Sequence, residues 1–138
     1  MLMPIMVAVF LTGLLTPIAN ANAATDAPTC LEPPTSDKNE LCVELISYEG
    51  KEFAASGRFL AVDSAVPATL RVLVQQRLEM WPPPITITER TVTGTGELKA
   101  LTDPGESRYD ARTVRACAYG WTDIGARRYE VCTPWQGV

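Results

Sequence analysis

The sequence contains no histidine. That excludes Ser-His-Asp and Cys-His nucleophile pairs, histidine-bound zinc and an imidazole pH switch. The patterns G-x-S-x-G, S-x-x-K and H-E-x-x-H are also absent, as is any Asn-x-Ser/Thr acceptor. Aromatic residues make up 7% of the 138 positions, and the one long apolar run is N-terminal. Positive charge is scarce, with 12 bases against 16 acids and a net charge of −4. That balance argues against overall attraction to nucleic acid or an anionic membrane and leaves room only for a local basic patch. What is there, 46% hydrophobic and 20% charged residues, suits a single globular domain.

Residues 1–23 read as a cleaved signal peptide. The apolar stretch from Ile5 to Leu15 is followed by the helix-breaking Thr16-Pro17. Ala21-Asn22-Ala23 then fits the small-x-small site of a signal peptidase, with Ala19-Asn20-Ala21 as the alternative. A helix of that stretch would be roughly 16 Å long, about half a bilayer core, so stable membrane insertion after cleavage is not expected. The usual basic start is missing, since all 12 bases follow residue 37; a start codon further upstream would account for it. Cys30 follows Ala27-Pro28-Thr29, which is not a lipid-attachment pattern. The expected location is therefore secreted, extracellular.

All four cysteines, Cys30, Cys42, Cys117 and Cys132, lie beyond that segment, separated by 11, 74 and 14 residues. With no C-x-x-C, two disulfides are a better reading than zinc or a redox pair. Three connectivities are open, and the C-terminal segment chooses among them. TVRACAYGW and RYEVCTPW read as two strands. Setting Trp121 opposite Arg128 places Cys117 opposite Cys132, Gly120 opposite Tyr129, Ala118 opposite Val131 and Val114 opposite Trp135. One face is then apolar, and the other carries Arg115, Cys117, Tyr119, Trp121, Arg128, Glu130 and Cys132. Cys30–Cys42 would be the second bridge. Each is worth about 3 kcal/mol in the chain-entropy model.

Residues 24–40 form a polar leader with three prolines. From 41 to 138, short candidate strands alternate with turn signals: 41–48, 52–62, 68–81, 85–93, 97–101, 109–121 and 128–135. The expected fold is all-β, a single disulfide-stapled sandwich of about seven strands, immunoglobulin-like. Segment 68–81 also has helical spacing through Leu70, Leu73, Val74, Leu78 and Trp81, which would make the fold α+β. Strand is preferred, because Arg71, Gln75, Arg77 and Glu79 then share one face. Gln76 is the polar exception on the apolar face.

The segment TVRACAYGW…RRYEVCTPW, with VLVQQRLEMW before it, resembles the last hairpin of small secreted actinobacterial β-domain proteins. The resemblance covers about half of the mature chain. It implies export and a compact β-domain, with no activity attached. The paired cysteines and reactive loop of the subtilisin-inhibitor family are not recognisable, so none of that family's residues is carried over.

Candidate sites are few. Ser56 has no visible base, and Glu44, Glu49 and Glu52 read as solvated charges rather than a hydrolytic pair. Gly94-Thr95-Gly96 lacks the context of a phosphate loop. Asp103, Glu106 and Asp110 could bind calcium, but Arg108 and Arg112 compete for them and the spacing is not an EF-hand. No cofactor and no catalysis are expected. The outer hairpin face, Arg115, Tyr119, Trp121 and Arg128, is the candidate ligand-binding surface, because aromatics beside arginines hold sugars, anionic polymers or protein partners. Trp81-Pro82-Pro83-Pro84 is a second, stiff candidate. The expected function is a secreted binding module for a cell-wall polymer or an extracellular protein. The alternative is an inhibitor of a secreted hydrolase that uses the loop around Trp81.

Overall fold

A computed structural model of the protein describes residues 24–25, 27–31, 39–49, 51–78, 83–108, 113–125 and 127–138. The expected signal peptide, most of the Pro-containing leader, Trp81 and Asp110 lie outside the described residues. The strands in chain order begin with β1 (Ala24–Thr25), β2 (Thr29–Cys30), β3 (Glu40–Tyr48) and β4 (Glu52–Leu60). Next come β5 (Ala68–Arg77), β6 (Ile85–Gly94), β7 (Glu97–Leu101) and β8 (Gly105–Glu106). The chain ends with β9 (Thr113–Thr122), β10 (Tyr129–Cys132) and β11 (Gln136–Gly137). Among the described residues no helix is long and apolar enough to cross a membrane.

The strands form two antiparallel sheets. The first runs β1-β3-β4-β7, with β2 also on β3 and β8 also on β4; the second runs β10-β9-β5-β6, with β11 also on β9. The seven-strand, immunoglobulin-like sandwich expected from the sequence is overturned. There are sheets of six and five strands, and four of the strands are two residues long. Two residues cannot show a period, so nothing in the hydrophobic pattern announces them. The disulfides pair as expected, Cys30 with Cys42 and Cys117 with Cys132, but not in the immunoglobulin manner. An immunoglobulin bridge joins the two sheets, whereas Cys30–Cys42 and Cys117–Cys132 each join neighbouring strands within one sheet. The α+β alternative also falls, because 68–77 is strand throughout.

Period two decides which side chains meet. Leu41, Val43, Leu45 and Phe59 from the first sheet face Leu70, Val72, Val74 and Val114 from the second in one shared core. Two glycines let the sheets approach. A Cβ on Gly57 would lie 2.5 Å from Val72 Cγ2, and one on Gly120 would lie 2.5 Å from Phe59 Cδ2.

Gln76, the polar exception, is 1% exposed. Its Nε2 donates to the Arg108 carbonyl at 3.1 Å, and its Oε1 accepts from the Arg108 N–H at 2.7 Å. The amide thus stands in for a strand backbone, which is how a buried polar group is tolerated there. Thr102 and Thr133 play a related part at the ends of β7 and β10. Each donates its N–H to one alanine carbonyl and accepts that alanine's N–H on Oγ1: Ala55 for Thr102, Ala116 for Thr133.

Candidate functional site

Odd-numbered residues of β5 and β9 point away from the core, because the even-numbered Leu70, Val72, Val114 and Ala116 point into it. β9 pairs with β10 in the expected register, with Cys132 opposite Cys117, Val131 opposite Ala118 and Tyr129 opposite Gly120. Tyr119 and Glu130 are therefore partners on the outer face. Arg115, Tyr119 and Trp121 all stand on that face, half-buried, and the exposed Arg128 guanidinium lies 4.6 Å from the centre of the Trp121 ring.

One expectation fails. Trp135 does not sit opposite Val114; Gln136 does. The pairing slips by one residue after Thr133, where Pro134 has no N–H for the ladder. A slip of one residue sends a side chain to the other face. Trp135 accordingly leaves the core side and lies against Arg115 and Arg77, each guanidinium 4.4 Å from its ring centre. Arg115 also donates Nε to Gln75 Oε1 at 3.0 Å. Beside them Arg71 sits 6.0 Å from the Tyr119 ring centre, and its Nε and Nη2 both donate to Glu89 Oε2, at 3.0 and 2.6 Å.

Sequence reasoning missed Trp135, Arg77 and Arg71 as members of this surface. Pro134 was the available signal for Trp135. The two arginines were visible as the polar face of β5, but only the sheet order places that face beside β9.

The assembled face holds four arginines, Arg71, Arg77, Arg115 and Arg128, against Glu89 and Glu130, on a chain whose net charge is −4. Among the described residues, Arg71 has an ion-pair partner, whereas no carboxylate lies within 4.0 Å of Arg77, Arg115 or Arg128. The Tyr119 phenol is pushed above its ordinary value, first by burial and then by the charge of Glu130 and the hydrogen bond to it; Arg115 and Arg71 pull the other way. It donates to Glu130 and stays neutral at physiological pH.

The outer face of the first sheet is different. An open depression of about 370 Å³ is lined there by Pro28, Cys30, Cys42, Glu44, Ser56 and Arg58, among others. Its two bases are paired: Arg58 lies 3.7 Å from Glu40 and 3.6 Å from Glu97, and Lys99 lies 3.8 Å from Glu97. Ser56 sits opposite Glu44, while Glu52 pairs with Tyr48 on one side and Glu106 on the other. Asp103 of the calcium candidate is in an ion pair with Arg90 at 3.5 Å. Cys117, Glu130 and Cys132 approach closely enough for a metal, but the sulfurs are bonded to each other and offer no thiolate. Of the second sequence candidate, Pro83 and Pro84 are exposed. The arginine-aromatic face thus gathers three arginines that have no carboxylate within 4.0 Å among the described residues. No family model, no curated protein and no solved structure matches this chain, so the likeness of its final hairpin to small exported actinobacterial proteins has no counterpart in these comparisons.

Proposed function

We propose that this chain is an exported binding module that engages a partner through the outer face of its second sheet, by contact rather than by catalysis. The observation that carries the reading is the set of arginines held over tryptophan rings without acidic partners among the described residues. Ordering such side chains before binding removes much of the entropy that an interface otherwise loses. Two disulfides and no free cysteine suit an oxidising compartment, which supports export together with the N-terminal pattern of Ala21-Asn22-Ala23. A cell-envelope polymer or an extracellular protein is the partner this face fits.

Sedimentation with purified cell walls tests the reading. The protein should pellet with the walls, release in salt as exposed charges are screened, and pellet less as Arg128→Ala. A protein that stays in the supernatant and instead titrates a secreted protease stoichiometrically would replace this reading with the inhibitor one.

A further inference from the structure

The same face indicates the chemistry of its partner, and the inference rests on the binding reading above. We propose that it binds a linear anionic polysaccharide, laid along the strand direction, whose oxyanions are taken by Arg128, Arg115 and Arg77.

The first argument is directional. A guanidinium has five N–H donors, and one resting over a ring still offers edges suited to a two-oxygen acceptor such as carboxylate, sulfate or phosphate. Arg128 over Trp121, and Arg77 and Arg115 over Trp135, are placed in that way. On this side the rings already meet cations, so what the surface presents outward is charge. Stacking of a neutral sugar is not the main contact.

The second argument is layout. Trp121 and Arg115 are six positions apart on the same face of β9, about 20 Å at roughly 3.3 Å per residue. Arg77, paired with Thr113 two positions further on, converges with Arg115 on the one Trp135 ring, so those two form a single station, and Glu130 lies between it and Arg128. A compact anion would meet one station of such a row. A chain carrying charge at every repeat meets both, and it needs no cavity.

The third argument is the company the arginines keep. Thr91 and Thr93 stand exposed opposite Arg71 and Thr69, on the same face. Hydroxyls there suit the hydroxyls of a sugar. Of the exposed large hydrophobics, Ile85 sits opposite the inward-facing Gln76 and Leu101 opposite Ser56 of the first sheet, so neither adds to this face the aliphatic surface that a lipid contact needs. Elsewhere the acidic chain repels a polyanion, which confines it to this row.

The test is a titration of the mature, oxidised protein with polygalacturonate, read by tryptophan emission and calorimetry at low salt. Fully methyl-esterified polygalacturonate has the same backbone without the charge. The expected result is binding to the acid form, at least tenfold weaker binding to the ester and to monomeric galacturonate, and loss in moderate salt. The triple variant Arg77→Ala, Arg115→Ala, Arg128→Ala should bind at least tenfold more weakly with its circular dichroism and melting temperature retained. Should that variant melt early, the charge-removing Arg→Gln triple serves instead. Equal binding of acid and ester, no binding of the acid form, or equal binding of poly-glutamate or anionic vesicles would overturn the polysaccharide assignment. If the wild-type chain still pellets with walls while polygalacturonate fails, the binding reading survives and this inference does not. If the triple variant pellets with walls as well as wild type, the face is wrong and both fall.

Discussion

At Thr133 a hydroxyl does the work that a carbonyl does elsewhere in the sheet. Its Oγ1 accepts the buried Ala116 N–H at 3.0 Å while its own N–H reaches the Ala116 carbonyl at 2.8 Å. Thr133→Val keeps the shape and orphans that N–H, so urea unfolding should show a loss of about 1–3 kcal/mol, with Thr133→Ser close to wild type. Tyr119 makes a different kind of statement. Its pKa is raised above 10.0 by burial and by Glu130, so the fold favours the neutral phenol. That contribution is complete below pH 10.0 and is lost as pH rises through the raised value. Ultraviolet titration of the phenols should therefore show a late component that is missing in Tyr119→Phe. Glu130→Gln should move this component back towards the ordinary range.

Among the strands, β9 is the one that couples packing to the surface. Gly120 lets the Phe59 ring lie against its backbone on the inner side, while Tyr119 and Trp121 stand on the outer side. Gly120→Ala forces the ring or the sheet to shift and should cost about 1–3 kcal/mol in thermal or denaturant unfolding, as overpacking does. The longer strands were legible in the sequence as short segments bounded by turn signals such as Glu49-Gly50, Asp63-Ser64 and Asp103-Pro104-Gly105, β10 excepted. That short strand was found through the paired cysteines, which aligned its register. The four two-residue strands were not legible, since they are held by neighbours rather than by pattern: β2 by Cys30–Cys42, and β8 by pairing with β4 beside the Gln76–Arg108 clasp. The shared outer face of Arg115, Tyr119 and Trp121, one half of the candidate surface, was legible through that same β9–β10 register. The other half depends on a one-residue slip at Pro134 and on which strand lies next to β9. Neither is written in the periodicity of any one segment.

For the whole molecule, the two sheets are joined by the shared core and the chain connections, and no disulfide spans them. The bridges close short loops, with sequence separations of 12 and 15, and each should contribute about 3 kcal/mol. Together they approach the 5–15 kcal/mol that holds a typical domain folded (about 0.1 kcal/mol per residue). Calorimetry with and without reductant should show the melting temperature falling by roughly 20 °C on reduction, given about 4 °C per kcal/mol for a domain between the 60–100-residue and 150–250-residue classes.

The Cys117–Cys132 bond closes the hairpin below its loop, and that loop carries the exposed Arg127-Arg128 pair. Trypsin cutting after either arginine would thus release nothing: the last ten or eleven residues stay tied to β9 through sulfur. Limited digestion should give one species on a non-reducing gel and two fragments after reduction. Such a molecule can be nicked in this exposed loop and still persist as a single particle.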